Sequence, residues 1–407
     1  MEPVGGRRAV VVGGSLGGLS AGLWLRDAGW DVDVLERSPS PLEGRGAGIV
    51  LHPATVRYLV EHGAADLDPI SAPACWLRYL GDDATVLSQA PCRYRFTSWT
   101  TLYRHLLGRF DGSRYRMGAE VVGFEAGAPA NAAAGGVTAV TAGGDRVSGD
   151  LLVAADGVAS TARAALLPDA QPRYAGYVGW RGTVDEHELS EATFAALHEA
   201  ITYHLMPASH ILAYPIPNVD GTVTPGRRRL NWVWYRNVAA GEEIDDLMTG
   251  GDGRRHPLSL PPGKVRPVHL DALRTAAARL PAPLAEAVAR TAEPFVQLIV
   301  DVAVPRMVFG RVCLLGDAAF ALRPHAAVGT AKAAEDAWQL ARALQAAGGD
   351  VDRALQEWEA AQLQLGRQVA GRTCRAGDRS QFEGTWRVGE PLPFGLYEVG
   401  DSAFVPS

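Results

Sequence analysis

The sequence predicts an α/β fold in which a parallel β–α–β domain is interleaved with an antiparallel β-sheet domain and followed by C-terminal helices. Three observations predict it. Short β-branched or apolar runs recur at residues 9–12, 151–155 and 312–315, each closed by glycine or an Asp-plus-small-residue turn, as buried parallel strands are. Aromatic-rich, β-prone segments crowd between residues 173 and 236. From residue 331 onward the apolar spacing is helical.

Taken in order, residues 9–12 read as a first strand and residues 15–28 as a helix, with Leu16, Leu19, Leu23 and Leu25 at helical spacing. Residues 31–35 read as a second strand ending at Glu36, completing a β–α–β unit. The Ala/Gly-rich stretch 126–136 reads as a hairpin tip or surface loop. The runs 151–155 and 312–315 lead into Asp156-Gly157 and Asp317-Ala318. Segments around Tyr177–Arg181, His210–Pro217 and Leu230–Tyr235 read as antiparallel strands, and the Gly/Pro/Arg-rich stretch 250–267 as an exposed connection. Helices are expected at 331–344 and from 353 to about 372, and the tail from 380 is expected on the surface.

Bulk properties exclude several function classes. The chain has 407 residues, 47% hydrophobic and 21% charged, enough for a large core shared by two or three domains. A net charge of −6 implies no broad basic surface for nucleic acid. Cys75, Cys92, Cys313 and Cys374 form no C-x-x-C pair and read as buried thiols in a reducing compartment, not as a disulfide frame or zinc site. The 10 histidines show no metal-ligand spacing. Arg7-Arg8 before an apolar run resembles an export signal, but the run meets Gly13 after four residues. No apolar stretch approaches the ~18 residues of a membrane span. A soluble cytoplasmic protein without a membrane partner is expected.

The first strand–helix turn, Gly13-Gly14-Ser15-Leu16-Gly17-Gly18, fits a dinucleotide fingerprint except that Ser15 replaces its second glycine. Ser is small enough to keep the backbone near a pyrophosphate, and helix N-terminal amides favour that charge. Glu36 stands where a carboxylate accepts ribose hydroxyls. Gly13, Ser15, Leu16, Gly18 and Glu36 are therefore candidate cofactor residues, with NAD and FAD both open at this point.

Two later motifs decide between them. Asp156-Gly157-Val158-Ala159-Ser160-Thr161-Ala162-Arg163 and Gly316-Asp317-Ala318, followed by the loop after Arg323-Pro324-His325, resemble the FAD-dependent aromatic hydroxylases typified by para-hydroxybenzoate hydroxylase. The resemblance implies a Rossmann-like FAD-binding domain (1–70, 96–172 and 291–349) interleaved with a substrate-binding antiparallel sheet (71–95 and 173–290), plus a C-terminal helix and tail (350–407). It implies that the first turn holds the ADP part of FAD, that Asp317 binds the ribityl chain, and that Pro324, Ala327, Val328 and Gly329 lie beside the flavin ring. It adds Arg37, Arg45, Gly48, Val121 and Asp156 to the cofactor contacts, with Asp156, Ser160 and Arg163 serving both FAD and NAD(P)H.

A closer likeness comes from Arg323-Pro324-His325-Ala326-Ala327, Tyr174-Ala175-Gly176-Tyr177-Val178-Gly179-Trp180-Arg181-Gly182, Ala213-Tyr214-Pro215-Ile216-Pro217, Asp246-Leu247-Met248-Thr249 and Phe96-Thr97-Ser98. These segments are similar to the 2,6-dihydroxypyridine 3-hydroxylases. That likeness implies a homodimer, NADH (or NADPH) as reductant, O2, and a small aromatic or pyridine-type substrate hydroxylated through a flavin C4a-hydroperoxide. His210 and Tyr214, four residues apart on one strand, face the same side. They and His325 are the candidate catalytic residues, one of them a base for the substrate hydroxyl. Trp180, Tyr203, His210, Tyr214 and Pro324 are the candidate substrate residues. Two rival readings stand beside this one: another flavin enzyme of the same fold, a halogenase or epoxidase-type, of which the halogenase is disfavoured because Trp232-Val233-Trp234 is followed by Tyr235-Arg236 and not by x-I-P, and a flavoprotein redox sensor without substrate turnover.

Overall fold

The computed structural model describes residues 6–42, 48–64, 66–127 and 136–401. A six-stranded sheet runs in the order Val308–Phe309, Val312–Leu314, Leu151–Ala154, Arg8–Val12, Asp31–Glu36, Tyr115–Met117. All its pairings are parallel except the edge hairpin. Its β-branched runs share one apolar core with the helices Leu16–Asp27 and Gly329–Ala346, so these strands need no polar face. A three-stranded antiparallel sheet, Val121–Gly127, Gly136–Thr141 and Arg146–Gly149, completes this half.

The second half is a nine-stranded sheet, ordered Ser259–Leu260, Phe295–Asp301, Arg173–Asp185, Arg229–Asn237, Ser209–Ile216, Ala200–Met206, Ala72–Leu80, Val86–Ser98, Gly48–Val50. Only Ala200–Met206 and Ala72–Leu80 pair in parallel. Both faces are apolar over its centre. Val178, Trp180, Ile211, Ala213, Trp232 and Trp234 pack with the helices Pro267–Ala277 and Ala282–Arg290 on one side. Tyr177, Leu212, Tyr214, Val233 and Tyr235 form a separate cluster on the other. Alternation along each strand sorts the residues between them.

The expected C-terminal helices extend over Gly329–Ala346 and Val351–Asp378. The second ends in a π-helical turn, Arg379–Glu383, closed by Gly384 at φ 60°. Among the described residues, no helix is long and apolar enough to cross a membrane.

Several expectations are corrected. Gly48–Val50 and Phe295–Asp301 belong to the nine-stranded sheet, and Val86–Ser98 runs through residues 95 and 96 without a break. The nine-stranded sheet therefore takes strands from both sides of the boundaries expected at 70, 95 and 290, because the chain passes back and forth between the two halves. Only Cys313 is buried; Cys75 is exposed, and Cys92 and Cys374 are half-buried. The stretch 250–267 is mostly exposed, but Leu260 and Val265 anchor it in the core. The tail lies only partly on the surface: most of residues 382–400 are exposed, but Ser380, Gln381, Leu392, Phe394 and Leu396 are buried. The stretch 126–136 lies partly outside the described residues.

Trp232 is wholly buried and its Nε1 donates to Thr291 Oγ1 at 2.8 Å. Trp232→Ala leaves a void on the helix-covered face and is expected to cost about 3–5 kcal/mol, read as a lower urea midpoint. A loss below about 1 kcal/mol would show that this face repacks freely.

Candidate active site

One cavity of about 650 Å³ runs between the six-stranded and nine-stranded sheets. At its first end lies the turn after Arg8–Val12. Gly13 has φ 97°, and a Cβ there would overlap the Ala155 carbonyl. A Cβ on Gly18 would overlap the Gly13 carbonyl oxygen, so the helix can approach the strand only over glycine. Ser15 stands at the N-cap of Leu16–Asp27 but its hydroxyl makes no cap bond. The first amides of that helix therefore keep their donors for a ligand.

Carboxylates surround this turn. Glu36 is buried and accepts from Gly14 N and Ser38 N, both at 2.8 Å. A carboxylate accepts several more hydrogen bonds, so ribose hydroxyls remain within its capacity. Asp156 Oδ2 accepts from Ala162 N at 3.2 Å, while Oδ1 is buried without a partner. Asp317 is open to the cavity yet enclosed by its walls. That enclosure pushes its pKa up to about 6, against the pull of the Arg163 guanidinium.

The loop at Pro324 reaches the middle of the cavity. Ala327 adopts a left-handed conformation, φ 56°, and Gly329–Ala346 begins without a side-chain cap. A second set of unpartnered helix amides thus faces the cavity beside Gly329 and Thr330. The nucleotide turn, the enclosed Asp317 and this second helix start fit a pyrophosphate-bearing dinucleotide whose ring edge carries negative charge.

The far wall is the nine-stranded sheet. Tyr203, Leu212, Val233 and Tyr235 line it with Arg181. Arg181 Nε is buried without a hydrogen-bond partner, and the guanidinium has no carboxylate partner among the described residues. Its charge acts on Tyr214 and Tyr235, lowering phenol pKa values that burial raises. Tyr214 stacks on Phe96 with ring centroids 4.2 Å apart. His210 and His325 stand 5.4 Å apart, centroid to centroid, each 4.8 Å from Tyr235. Burial holds both imidazoles neutral: His325 is pushed down to about 3 with Arg323 adding repulsion, and His210 falls well below its ordinary value. Trp386 and Phe394 come from the tail; Trp386 lies 4.9 Å from His210 and 5.5 Å from Tyr203.

Comparison with known proteins agrees with this geometry. Residues 174–301 match the family described as FAD binding domain-like, and residues 297–373 match FAD binding domain. The chain is 39% identical over 402 residues to 2,6-dihydroxypyridine 3-monooxygenase of Paenarthrobacter nicotinovorans, covering 98% of each chain. It overlays the 2,6-dihydroxypyridine-3-hydroxylase structure from Arthrobacter nicotinovorans with a TM-score of 0.90 at 38% identity, covering 98% of both. The chain belongs to the FAD-dependent aromatic hydroxylases. A more distant relative, Klebsiella pneumoniae HpxO complexed with FAD and uric acid, overlays with a TM-score of 0.74 at 26% identity, covering 93% of this chain and 89% of the other.

Of the hydroxylase's sequence-derived cofactor positions, Gly13, Ser15, Glu36, Arg37, Gly48 and Val121 border the cavity. So do Asp156, Asp317, Pro324, Ala327, Val328 and Gly329. Leu16 and Gly18 do not; both are buried behind the turn and shape it from within. Arg45 lies outside the described residues. Ser160 and Arg163 also stand away from the cavity. Ser160 caps Thr161–Leu166, and buried Arg163 donates to the Val158, Ala170 and Ala318 carbonyls, tying two loops together.

Tyr203, His210, Tyr214, His325 and Pro324, the other sequence-derived candidates, all border the cavity. Trp180 does not: it packs on the helix-covered face, and its neighbour Arg181 takes the cavity side. Sequence reading also missed Tyr235, Trp99, Gln297, Trp386 and Phe394, all of which border the cavity. The parity of His210 and Tyr214, carried across the paired strand, would have found Tyr235, which sits opposite His210.

Asp317 gives the hydroxylase's apoprotein a pH signature. Its folded pKa is raised above the unfolded value of 3.8, so its stabilising contribution is complete below about pH 4 and is lost as pH rises through about 6. Asp317→Asn is expected to remove that component. The test compares the pH dependence of the urea midpoint of FAD-free protein; identical slopes for both proteins between pH 4 and 6 would refute it. Gly18→Ala is expected to lower FAD affinity by at least about tenfold by pushing the helix off the turn, measured by flavin fluorescence titration.

Proposed function

We propose that the substrate of this FAD-dependent monooxygenase is a small, electron-rich N-heteroaromatic ring carrying ionisable hydroxyls, of the dihydroxypyridine type. The observation that carries this reading is the continuous cavity joining the nucleotide turn to an aromatic wall with an unpaired guanidinium. FAD, when bound, supplies dioxygen activation and transfer of one oxygen atom to the ring. The other oxygen leaves as water, with two electrons drawn from NADH or NADPH.

In this reading Gly13, Ser15, Glu36 and Arg37 hold the ADP portion, with Asp156 nearby, and Asp317 meets the ribityl chain. Gly48 and Val121 border the cofactor channel. The loop from Pro324 to Gly329 and the helix amides behind it favour negative charge on the flavin edge. Arg181 draws an electron-rich or anionic ring towards the sheet. Tyr203, Tyr214, Trp386 and Phe394 enclose the ring and exclude water, while His210 and His325 supply the polar contacts that orient it. The name of the 39%-identical relative supports the pyridine class, and that of the urate-binding neighbour a nitrogen heterocycle in general. The same likeness supports a cytoplasmic homodimer as the working form.

Protein loaded with FAD is expected to oxidise NADH or NADPH faster when 2,6-dihydroxypyridine is added, with a product heavier by one oxygen atom. If neither pyridines nor phenols stimulate oxidation, the reading fails. Arg181→Met is expected to weaken substrate binding about 10- to 100-fold, the range for losing a charged hydrogen bond, measured by perturbation of the flavin absorbance.

A further inference from the structure

We infer that Ser380 and Tyr177 lock His210 and His325 as hydrogen-bond donors towards the chamber, so that neither imidazole is the base and both receive a substrate oxyanion. The inference rests on the proposed substrate class.

The lock on His210 begins in the C-terminal turn. The π-helical turn Arg379–Glu383 carries Ser380 and Gln381, both buried, beneath the strand of His210. Asn237 Nδ2 donates to the Gln381 carbonyl at 2.8 Å and ties the turn to the sheet. Ser380 Oγ lies 2.6 Å from His210 Nδ1. Gln381 Nε2 lies 3.3 Å from the same nitrogen and 3.0 Å from Ser380 Oγ. An amide NH2 only donates. With Gln381 donating to Ser380 Oγ, the serine proton has Nδ1 as its acceptor. Two donors therefore converge on Nδ1, and the ring proton of neutral His210 belongs on Nε2.

His325 is held by the same logic from the other side. Its Nε2 lies 2.8 Å from the Tyr177 hydroxyl. Tyr177 is buried, so its phenol keeps its proton, and the adjacent Arg323 guanidinium offers only donors. The phenol proton goes to Nε2, which leaves His325 with an N–H at Nδ1. That Nδ1 is buried without a protein partner. An unpartnered buried donor costs free energy unless a ligand satisfies it. Both residues border the cavity with Arg181. Two neutral N–H donors and one guanidinium form a receptor for a negatively charged, oxygen-bearing ring edge. Such a receptor favours the ionised substrate without a protein base.

The test titrates 2,6-dihydroxypyridine and 2,6-dimethoxypyridine into FAD-loaded protein and follows the flavin absorbance. The ionisable compound is expected to bind at least about tenfold tighter. His210→Gln retains an N–H where Nε2 stood, and His325→Asn retains one where Nδ1 stood. These two variants are expected to stay within about tenfold of wild type in kcat/KM, whereas His210→Leu and His325→Leu lose about 100-fold and bind only the dihydroxy compound more weakly. Ser380→Ala and Tyr177→Phe remove the locks without touching the imidazoles. They are expected to weaken dihydroxypyridine binding severalfold at unchanged FAD content, and Ser380→Thr to restore it. If His210→Gln or His325→Asn is as inactive as its leucine counterpart, that imidazole is the base and the assignment is wrong. If both compounds bind wild type equally, the oxyanion receptor is wrong while the hydroxylase reading stands. If neither binds and no NAD(P)H oxidation is stimulated, the substrate class falls, and this inference with it.

Discussion

Arg323 joins the parts of the chamber. Its guanidinium donates to both oxygens of Asp301, from 2.8 to 3.2 Å, and to Asp378 at 2.7 Å. Asp301 ends a strand of the nine-stranded sheet, Asp378 ends the long C-terminal helix, and Arg323 itself opens the loop at Pro324. A charge this enclosed persists only when paired, and removing one partner of such a pair typically costs about 3–5 kcal/mol. Asp378 is half open to solvent, so most of that constraint resides in the Asp301 fork. Gly377 makes the joint possible, because a Cβ there would come within 2.6 Å of the Tyr177 hydroxyl and 3.0 Å of Arg323 Nη1.

The same cation sets the electrostatics further in. Arg323 lies against Tyr177, which bonds His325, so its positive charge stands behind an imidazole already disfavoured as a cation by burial. His210 is in turn depressed by burial and by His325. Among the described residues of the aromatic wall, positive charge at neutral pH is therefore concentrated on Arg181, beside two phenols that burial keeps protonated. A cation without a carboxylate partner among the described residues, set amid neutral donors, attracts an electron-rich ring without placing like charges together.

How much of this was legible in the sequence follows from range. The glycine turn, the strand ending at Glu36, the strands leading into the Asp156 and Asp317 turns, and both C-terminal helices are local patterns, and local chemistry dictates them. His210 and Tyr214 were paired correctly by alternation alone. Trp180 was not, because the sheet is apolar on both faces and alternation fixes parity without naming the side. The aromatic Trp180 reads as a pocket wall, whereas the buried chamber takes the neighbouring cation Arg181 and the helix-covered core takes the indole. The tail was read as surface because Gly, Pro and aromatic residues specify no periodicity. Its place beside His210 depends on contacts 170 residues apart in sequence.

Ala327 shows how the tail and the loop at Pro324 depend on each other. An alanine at φ 56° is strained by roughly 1–2 kcal/mol, where glycine would not be. Strain of this kind survives where surrounding contacts over-determine the backbone. His52, held neutral by burial with a pKa near 4, donates from Nε2 to the Ala327 carbonyl at 2.9 Å. Ala326 and Val328 on either side are buried with Leu365, Val369 and Leu396, the last supplied by the tail. Arg372 fixes that stretch by donating to the Gly395, Leu396 and Tyr397 carbonyls, and Asp401 accepts from the amides of Leu396, Tyr397 and Glu398. Without the tail the loop would lose one wall of its packing while keeping its strain. The segment that closes the chamber also holds the loop that faces it, which couples the shape of the aromatic end of the cavity to the geometry of the loop at Pro324 through the fold itself.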